Sequence, residues 1–324
     1  MRVLITGGAG FIGSHLVDHC LARGDTVKVI DDLSTGARKN LAAHAGDSAL
    51  ELVVDSVLSE PVLDELVAAS DAVFHLAAAV GVQRVVDDPV GTIELNVHGT
   101  EAVLRATARH ARPVLIASTS EVYGLSQDVP FREDGHLVFG ATSLSRWSYA
   151  CSKALDEFLA LGYARQRGSQ VVIARLFNTV GPRQTGRYGM VLPRFVRQAL
   201  AGEPLTVHGT GLQTRCFGYV LDVVPALTRL LESPTARGEV FNLGSQEEIS
   251  MLDLARRVLE ITGSSSRIVM VPYSQAYGEG FEDMPRRVPD IAKARAEVGF
   301  DPATRLSQII GSVLDYERSR AGTP

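Results

Sequence analysis

Residues 3–16 read VLITGGAGFIGSHL, an apolar strand followed by a glycine-rich turn and the start of a helix. Gly7, Gly10 and Gly13 are spaced three residues apart, and the next apolar run ends in the acidic pair Asp31-Asp32. Such a turn lets the backbone approach a diphosphate, while the helix N-terminus offers free N–H groups to the anion. A carboxylate after the second strand can accept two hydrogen bonds from an adenosine ribose. The stretch therefore predicts NAD binding, with a purely structural glycine turn as the alternative.

The composition is that of an ordinary globular protein. Of the 324 residues, 45% are apolar and 21% are charged, and the formal net charge is −5. Because this charge gives no basic field, we expect neither nucleic acid nor an acidic membrane as a partner. No apolar run approaches the ~20 residues that span a bilayer. The first predicted strand leaves no room for a signal peptide, so we expect a cytoplasmic protein.

The cysteines and histidines form no pattern typical of a metal site. Cys20, Cys151 and Cys216 stand at unrelated spacings, which favours neither a disulfide framework nor a zinc site. The histidines show no ligand spacing, and we interpret His75, at the end of a predicted strand, as structural. We therefore expect no bound metal.

Apolar strand-like runs alternate with helical patterns through the first half of the chain. This alternation predicts an α/β fold with a parallel sheet that is covered on both faces. The predicted strands are 3–6, 26–31, 50–54, 72–77, 113–118 and 171–177, and the predicted helices lie near 11–23, 60–70, 89–109 and 148–167. In such a sheet, ligands bind beyond the carboxyl ends of the strands.

The regular alternation of predicted strands and helices ends at about residue 178. Glycine and proline interrupt the chain, and short strands follow, which predicts a smaller, loop-rich lobe. Its helices are predicted at 192–201, 220–232 and 251–262, with two short helices at the end of the chain.

A hydroxyl-rich strand end and a Tyr-Lys pair carry the predicted chemistry. Thr119 follows the fifth predicted strand, and Tyr149 and Lys153 lie four residues apart in a predicted helix. Their side chains therefore project from one helix face, where the lysine would lower the pKa of the phenol toward neutrality. We expect Tyr149 to accept a proton from a substrate hydroxyl while hydride leaves the same carbon for nicotinamide. The alternative is an exposed helical turn with accidental spacing.

The sequence resembles the extended short-chain dehydrogenase/reductases of the nucleotide-sugar epimerase, dehydratase and decarboxylase group. The motifs that carry the resemblance are GGAGFIG (7–13), HLAAAVGV (75–82), STSEVYG (118–124), YACSK (149–153), NTVGPR (178–183) and RRVPD (286–290). We predict a Rossmann-like, doubly wound parallel sheet over 1–178, to which strands from beyond that boundary can add, and a C-terminal α/β sugar-nucleotide lobe over 179–324. The resemblance implies NAD as the cofactor, a UDP-sugar as the substrate and a homodimer.

The resemblance also implies roles for individual residues. Thr119 would hydrogen-bond the sugar hydroxyl being oxidised, Tyr149 would be the base, and Lys153 would orient the nicotinamide ribose. Arg215 would contact the diphosphate, with Asn178 nearby. The residues predicted to bind the cofactor are Gly7, Gly10, Phe11, Ile12, Gly13, Asp31, Asp32, Asp55, Leu76, Ala77, Ala78, Tyr149 and Lys153.

Members of this group oxidise carbon 4 of the sugar and diverge at the resulting 4-ketone. A 4-epimerase usually has a small residue where this chain has Glu121. A hexose 4,6-dehydratase commonly has Asp-Glu where this chain has Ser120-Glu121, although GDP-mannose dehydratases share Ser-Glu. UDP-glucuronate decarboxylases resemble the chain at Ser120-Glu121 and at an Arg-x-Pro, here Arg287-Val-Pro289. The resemblance therefore implies that Ser120 and Glu121 are catalytic residues. An arginine pairs well with a carboxylate or an enolate, and the resemblance implies that Arg287 binds the substrate and donates the proton to carbon 5.

We therefore predict NAD-dependent decarboxylation of UDP-glucuronate to UDP-xylose, UDP-4-keto-xylose or both. Residues 202–222 resemble the UDP-xylose synthases, whereas residues 78–82 depart from them. The Arg-Trp pair at 146–147 resembles a bacterial decarboxylase that releases a 4-keto pentose. The alternatives are a 4-epimerase and then a 4,6-dehydratase. A non-catalytic NAD-sensing protein would be expected to have a broken Tyr-Lys pair, and here the pair is intact.

Overall fold

The computed structural model describes residues 1–186, 190–277 and 282–321, with the backbone alone at 82–84 and 321. Its strands are β1 (Arg2–Thr6), β2 (Thr26–Ile30), β3 (Leu50–Val53), β4 (Ala72–His75), β5 (Val114–Thr119), β6 (Val171–Leu176), β7 (Thr179–Val180), β8 (Leu205–His208), β9 (Thr214–Cys216), β10 (Gly218–Tyr219), β11 (Glu239–Leu243), β12 (Glu248–Ser250), β13 (Ile268–Val271) and β14 (Arg286–Arg287). Its helices are α1 (Phe11–Ala22), α2 (Glu60–Ala68), α3 (Val82–Asp87), α4 (Pro89–Arg109), α5 (Ser148–Arg167), α6 (Val191–Leu200), α7 (Val220–Glu232), α8 (Met251–Thr262), α9 (Tyr273–Tyr277), α10 (Ala292–Val298) and α11 (Leu306–Ala321). Two 3-10 turns, Ser120–Tyr123 and Ser145–Trp147, lie next to the site described below.

The central sheet has seven strands in the order β11-β6-β5-β4-β1-β2-β3. Every neighbouring pair in it is parallel. The predicted fold class is confirmed: the sheet is Rossmann-like, and all six predicted strands belong to it with ends within two residues of those expected. The seventh strand, β11, was not among the predicted strands, and it pairs with β6 at the sheet edge.

Helices cover both faces of the sheet because successive strand residues point to opposite sides. In β1, Leu4 packs into a core with α2, α4 and α5, and Ile5 packs into a core with α1, α7 and α10. Both side chains have no exposed surface. The two cores hold the carboxyl ends of the strands in a fixed relation, and this edge of the sheet carries the candidate site.

A third core joins β8 to α6, α8 and α11, all of which lie within the region 179–324 that was predicted to form a lobe. The prediction of two short final helices is wrong for the last one, since α11 has 16 residues. Its residues Ile310 and Val313 are buried in this core. Their packing stabilises a longer helix than the sequence pattern alone predicted. The predicted loops around 187–189 and 278–281 lie outside the described residues. Across the ranges described, the helices include none long and apolar enough to cross a membrane.

Candidate active site

The residues predicted for catalysis, for the cofactor and for the substrate all line the same cavity. It opens beyond the carboxyl ends of β1, β2, β4, β5 and β6, and segments that follow residue 178 in the chain close its other side. In the described part of the chain, no group of three or more His, Cys, Asp or Glu side chains is arranged to hold a metal ion.

The glycine turn after β1 forms a cradle without side chains. Gly7 has a φ of +70°, and a Cβ added there would lie 2.8 Å from the backbone nitrogen of Ala77. A Cβ at Gly13 would lie 2.2 Å from the carbonyl oxygen of Gly7. Helix α1 begins directly after Gly10 and has no side-chain cap, so its first N–H groups can serve an anion. The cradle therefore fits a diphosphate.

The acidic residue that follows β2 is tied to this cradle. Asp31 accepts hydrogen bonds from the N–H groups of Ala9, at 2.9 Å, and of Leu33, at 2.8 Å. Burial raises the pKa of Asp31, and these two N–H groups offset part of that rise. Asp32 accepts a bond from the N–H of Ser34 at 2.9 Å. Asp31 thus has a fixed orientation and lone pairs left for ribose hydroxyls, so the residues present fit NAD.

The Tyr-Lys pair lies in the cavity, but its electrostatics differ from the expectation. Burial, with a smaller contribution from Glu121, raises the pKa of Tyr149 above its ordinary value, while a hydrogen bond with Thr119 lowers it. The expected net lowering toward neutrality is therefore not found: the Lys153 ammonium donates to Asp156 at 2.7 Å, and the Asp156 carboxylate adds to the rise in the pKa of Tyr149. Asp156 is completely buried and lies on the same helix face, three residues further on.

Glu121 lies between two arginines. Its Oε2 is 2.5 Å from Nη1 of Arg146, and its Oε1 is 3.4 Å from Nη1 of Arg287. Burial alone would raise the pKa of Glu121, but the two guanidinium groups outweigh burial and hold that pKa below its usual value. Burial and then Arg215 lower the pKa of Arg287 to about 10. The carboxylate and the arginine predicted to act together are therefore in contact, although 166 residues separate them.

A second carboxylate, Asp283, belongs to the same group of charged side chains, which we call the cluster: Glu121, Arg146, Arg215, Asp283 and Arg287. Its Oδ2 accepts hydrogen bonds from Arg215 at 2.8 Å and from the hydroxyl of Tyr273 at 3.1 Å. Asn178, predicted to lie near Arg215, donates to the carbonyl of Cys216 at 3.0 Å and lines the cavity. Arg215 is thereby held at the wall of the cavity.

The two adjacent arginines Arg286 and Arg287 have different environments. They form β14, and consecutive strand residues point to opposite sides. Arg286 is exposed and pairs with Glu248 at 2.7 Å, whereas Arg287 has an exposed fraction of 11% and faces the cavity.

Sequence reasoning missed two members of the cluster, Arg146 and Asp283. Arg146 belongs to the Arg-Trp pair that was noted for its resemblance to another decarboxylase, which was a usable signal. Asp283 lies in an irregular segment three residues before the RRVPD motif but is not part of it, so the motif did not point to this carboxylate.

His75 lies behind the cavity and has no catalytic partner. Its Nδ1 is 2.8 Å from the hydroxyl of Thr6, and its Nε2 is 3.2 Å from the hydroxyl of Thr100. Burial lowers the pKa of His75 to about 3, so the ring is neutral and joins β4, β1 and α4. Ser120, the remaining predicted catalytic residue, is buried in the 3-10 turn beside Glu121 and lines the cavity.

Proteins with assigned activities are similar to nearly the whole chain. A UDP-N-acetyl-alpha-D-glucosaminuronate decarboxylase from Bacillus cytotoxicus is 42% identical over 318 residues, which cover 98% of each chain. UDP-glucuronic acid decarboxylase 1 from Xenopus tropicalis is 37% identical over 98% of this chain and 72% of its own length.

Solved structures show the same fold. The UDP-glucuronic acid 4-epimerase from Bacillus cereus, in complex with UDP-glucuronic acid and NAD, superposes with a TM-score of 0.89 at 29% identity. That match covers 99% of this chain and 100% of the epimerase. The model of the NAD dependent epimerase/dehydratase family matches residues 3–244, which span the glycine turn, the Tyr-Lys pair and all but the first residue of the central sheet. The chain belongs to the NAD dependent epimerase/dehydratase family.

Proposed function

We propose that the chain is an NAD-dependent decarboxylase of UDP-glucuronate that forms UDP-xylose, UDP-4-keto-xylose or both. The observation that carries this proposal is the partly buried contact between Glu121 and Arg287 in the cavity that also contains Tyr149. Relatives from Bacillus, Xenopus and Arabidopsis that are named as uronate decarboxylases support it.

The residues around the glycine turn would hold the cofactor. Gly7, Gly10 and the first turn of α1 would bind its diphosphate, Asp31 its adenosine ribose, and Lys153 its nicotinamide ribose. When bound, NAD⁺ accepts a hydride from carbon 4 of the sugar and brings a positive charge into the cavity.

Tyr149 is the base of the first step. Its hydrogen bond with Thr119 leaves the threonine hydroxyl beside the phenol, where both can hold the carbon-4 hydroxyl of the sugar. The proton of that hydroxyl moves to the phenolate oxygen of Tyr149 as carbon 4 is oxidised. Because burial and Glu121 disfavour the phenolate, this transfer depends on positive charge close to Tyr149.

Decarboxylation follows because the 4-ketone is β to the carboxylate. The bond between carbons 5 and 6 breaks, carbon dioxide leaves, and the electron pair passes into an enolate that extends to the carbon-4 oxygen. Arg287 then donates a proton to carbon 5 and recovers one from water, which gives UDP-4-keto-xylose. UDP-xylose would form if the hydride returned to carbon 4 while Tyr149 gave its proton back to the carbon-4 oxygen. Its pKa of about 10 makes it a stronger acid than an exposed arginine. The Arg287 side chain lines the cavity, and its contact with Glu121 is long at 3.4 Å, so the guanidinium can turn toward a substrate carboxylate.

The test is to incubate the protein with NAD and UDP-glucuronate, measure carbon dioxide, and identify the product by mass spectrometry. We expect one carbon dioxide for each sugar consumed and, in D₂O, one deuterium at carbon 5. Arg287→Met should abolish the reaction. Arg286→Met is the matched control and should not, because Arg286 faces away from the cavity. Conversion of UDP-glucuronate to its carbon-4 epimer without loss of carbon dioxide would favour the 4-epimerase alternative.

UDP-N-acetylglucosaminuronate is the second candidate substrate. The 42% identical Bacillus relative, whose name specifies this sugar, favours it. The carboxylate and the 4-hydroxyl are common to both sugars, so the same cluster serves either. Side-by-side kcat/KM measurements with the two sugars decide between them, and a preference for the N-acetylated sugar would correct the substrate but not the reaction.

We also propose a homodimer built on α4 and α5. These helices expose large apolar side chains: Val90 is 63% exposed, Ile93 42%, Leu155 51% and Phe158 69%. A second copy would bury this patch by pairing the same faces. Light scattering should give a dimer for the wild type and a monomer for Phe158→Glu; a wild-type monomer would contradict the proposal. The cytoplasmic location stays a prediction.

A further inference from the structure

Arg146 is a buried cation in the cavity wall that the proposed chemical steps do not use. Its side chain has an exposed fraction of 3%, and its Nη1 lies 2.5 Å from Oε2 of Glu121. Its Nη2 lies 4.0 Å from Oδ1 of Asp283. A buried guanidinium at this distance makes a charge-assisted hydrogen bond and strongly favours the ionised carboxylate.

Each oxygen of Glu121 faces a different arginine. Oε2 faces Arg146, and Oε1 faces Arg287 across a longer contact of 3.4 Å. The other charged or titratable groups that act on Glu121 are Asp283 and Tyr149, and an anion at either position opposes ionisation of the carboxyl group. Since the contact with Arg146 is the shorter of the two, Arg146 is the main counter-ion that keeps Glu121 charged.

The backbone around Arg146 is anchored on both sides. Arg146 lies in the 3-10 turn Ser145–Trp147, which runs directly into α5 and so stands three residues before Tyr149. The indole N–H of Trp147 donates to Glu282 at 3.0 Å, and the Arg146 guanidinium lies 5.4 Å from the centre of the Trp147 ring. The guanidinium therefore has a fixed place relative to the catalytic tyrosine.

We propose that Arg146 is a positioning residue that holds Glu121 as a carboxylate and directs its second oxygen at Arg287. Glu121 then has no proton to give, and its role is to orient the guanidinium of Arg287 toward the substrate. The proton delivered to carbon 5 comes from Arg287. This consequence for the reaction rests on the proposed function, whereas the ionisation of Glu121 does not.

The test compares substitutions at two arginine–glutamate pairs in which the charged atoms lie the same distance apart. Arg146→Met removes the charge next to Glu121, whereas Arg146→Lys keeps the charge but replaces the planar guanidinium with an ammonium group. The matched control is Arg105→Met, because Arg105 pairs with Glu60 at the same 2.5 Å, but both side chains are exposed and lie outside the cavity. Glu121→Gln identifies the signal of Glu121 in protein with ¹³C-labelled glutamate carboxyl groups.

The first readout is the carboxyl titration of Glu121 in the ligand-free protein, followed by ¹³C NMR. Because burial opposes ionisation once Arg146 is lost, we expect the titration midpoint in Arg146→Met to rise by about 1 to 3 pH units. Arg146→Lys should shift it much less, and Arg105→Met not at all. The second readout is carbon dioxide release, where we expect kcat to fall by about 10- to 100-fold in Arg146→Met, with a smaller change in KM.

A Glu121 titration that is unchanged in Arg146→Met would overturn the inference. If that variant does not fold, Arg146→Lys decides. A kcat equal to that of the wild type would show that the Arg146 guanidinium does not position Glu121. A reduced kcat with an unchanged Glu121 titration midpoint would support the inference. Should the wild type release no carbon dioxide, the proposed function fails, while the Glu121 titration still answers whether Arg146 holds the carboxylate.

Discussion

Substituting Gly13 by alanine tests how closely α1 must approach the glycine turn. The new Cβ would lie 2.2 Å from the carbonyl oxygen of Gly7 and 2.7 Å from the Cα of Gly8, both backbone atoms. Non-bonded heavy atoms in ordinary contact are about 3.5 Å apart, so the start of α1 has to move by about 1 Å. Overpacking of this kind destabilises a protein by about 1–3 kcal/mol.

The same displacement moves the first N–H groups of α1 away from a bound diphosphate. Losing one charge-assisted hydrogen bond, worth about 1.5–3 kcal/mol, weakens NAD binding by roughly 10- to 150-fold. Calorimetric titration with NAD measures this loss, and urea unfolding measures the loss of stability.

Gly162→Ala is the control for Gly13→Ala. Gly162 also lies inside a helix, α5, but an added Cβ there meets no heavy atom within 4 Å. Alanine should therefore stabilise α5 by about 0.5–1 kcal/mol and leave NAD affinity unchanged. The reasoning is refuted if the two variants unfold at the same urea concentration, or if Gly13→Ala binds NAD as tightly as the wild type does.

Two further predictions concern buried charge. Glu157→Gln should lower the free energy of unfolding by about 3–5 kcal/mol, because it leaves the Arg175 guanidinium, 6% exposed and 2.7 Å from Glu157, without its counter-ion. The double variant with Arg175→Met should recover much of that loss in urea unfolding, and equal losses in both would contradict the explanation. His75 has a folded-state pKa of about 3, below its ordinary 6.5, so the unfolded chain binds the proton more tightly. The free energy of unfolding should therefore fall by up to about 1.4 kcal/mol per pH unit as the pH drops below about 6.5, and His75→Gln should flatten that slope between pH 7 and 5.

The regular elements of the sheet were predictable because their signals are local. The strand periodicity around Leu4 and the helix pattern of α5 each depend on neighbours within one element, and both ends of α5 were predicted to the residue. Strand β11 was missed because five residues, EVFNL, carry little signal alone. Their place is decided by pairing with β6, which lies more than 60 residues earlier in the chain.

The site was predictable in its membership more than in its electrostatics. Glu121 and Arg287 were each indicated by a motif, but their contact depends on how the segments that follow residue 178 pack on the sheet. The prediction for the pKa of Tyr149 failed for two reasons. The Lys153 ammonium is hydrogen-bonded to Asp156, one helical turn further along α5. Burial is the main cause of the raised pKa, and the burial of a side chain cannot be inferred from the spacing of two residues. Asp283 stands outside the quoted motifs and is recognised by its contacts with Arg215 and Tyr273.

Trp147 is the chain's sole tryptophan, and its indole N–H is bonded to Glu282, one residue before Asp283. When tryptophan is excited selectively over tyrosine, the emission therefore comes from one indole, which lies next to Arg146 of the cavity wall. Any rearrangement of the segment that carries Asp283 and Arg287 would alter the surroundings of the indole. Ligand binding and local movement can thus be followed in the unlabelled wild-type protein, at nanosecond to second time resolution, without a reporter that disturbs the site.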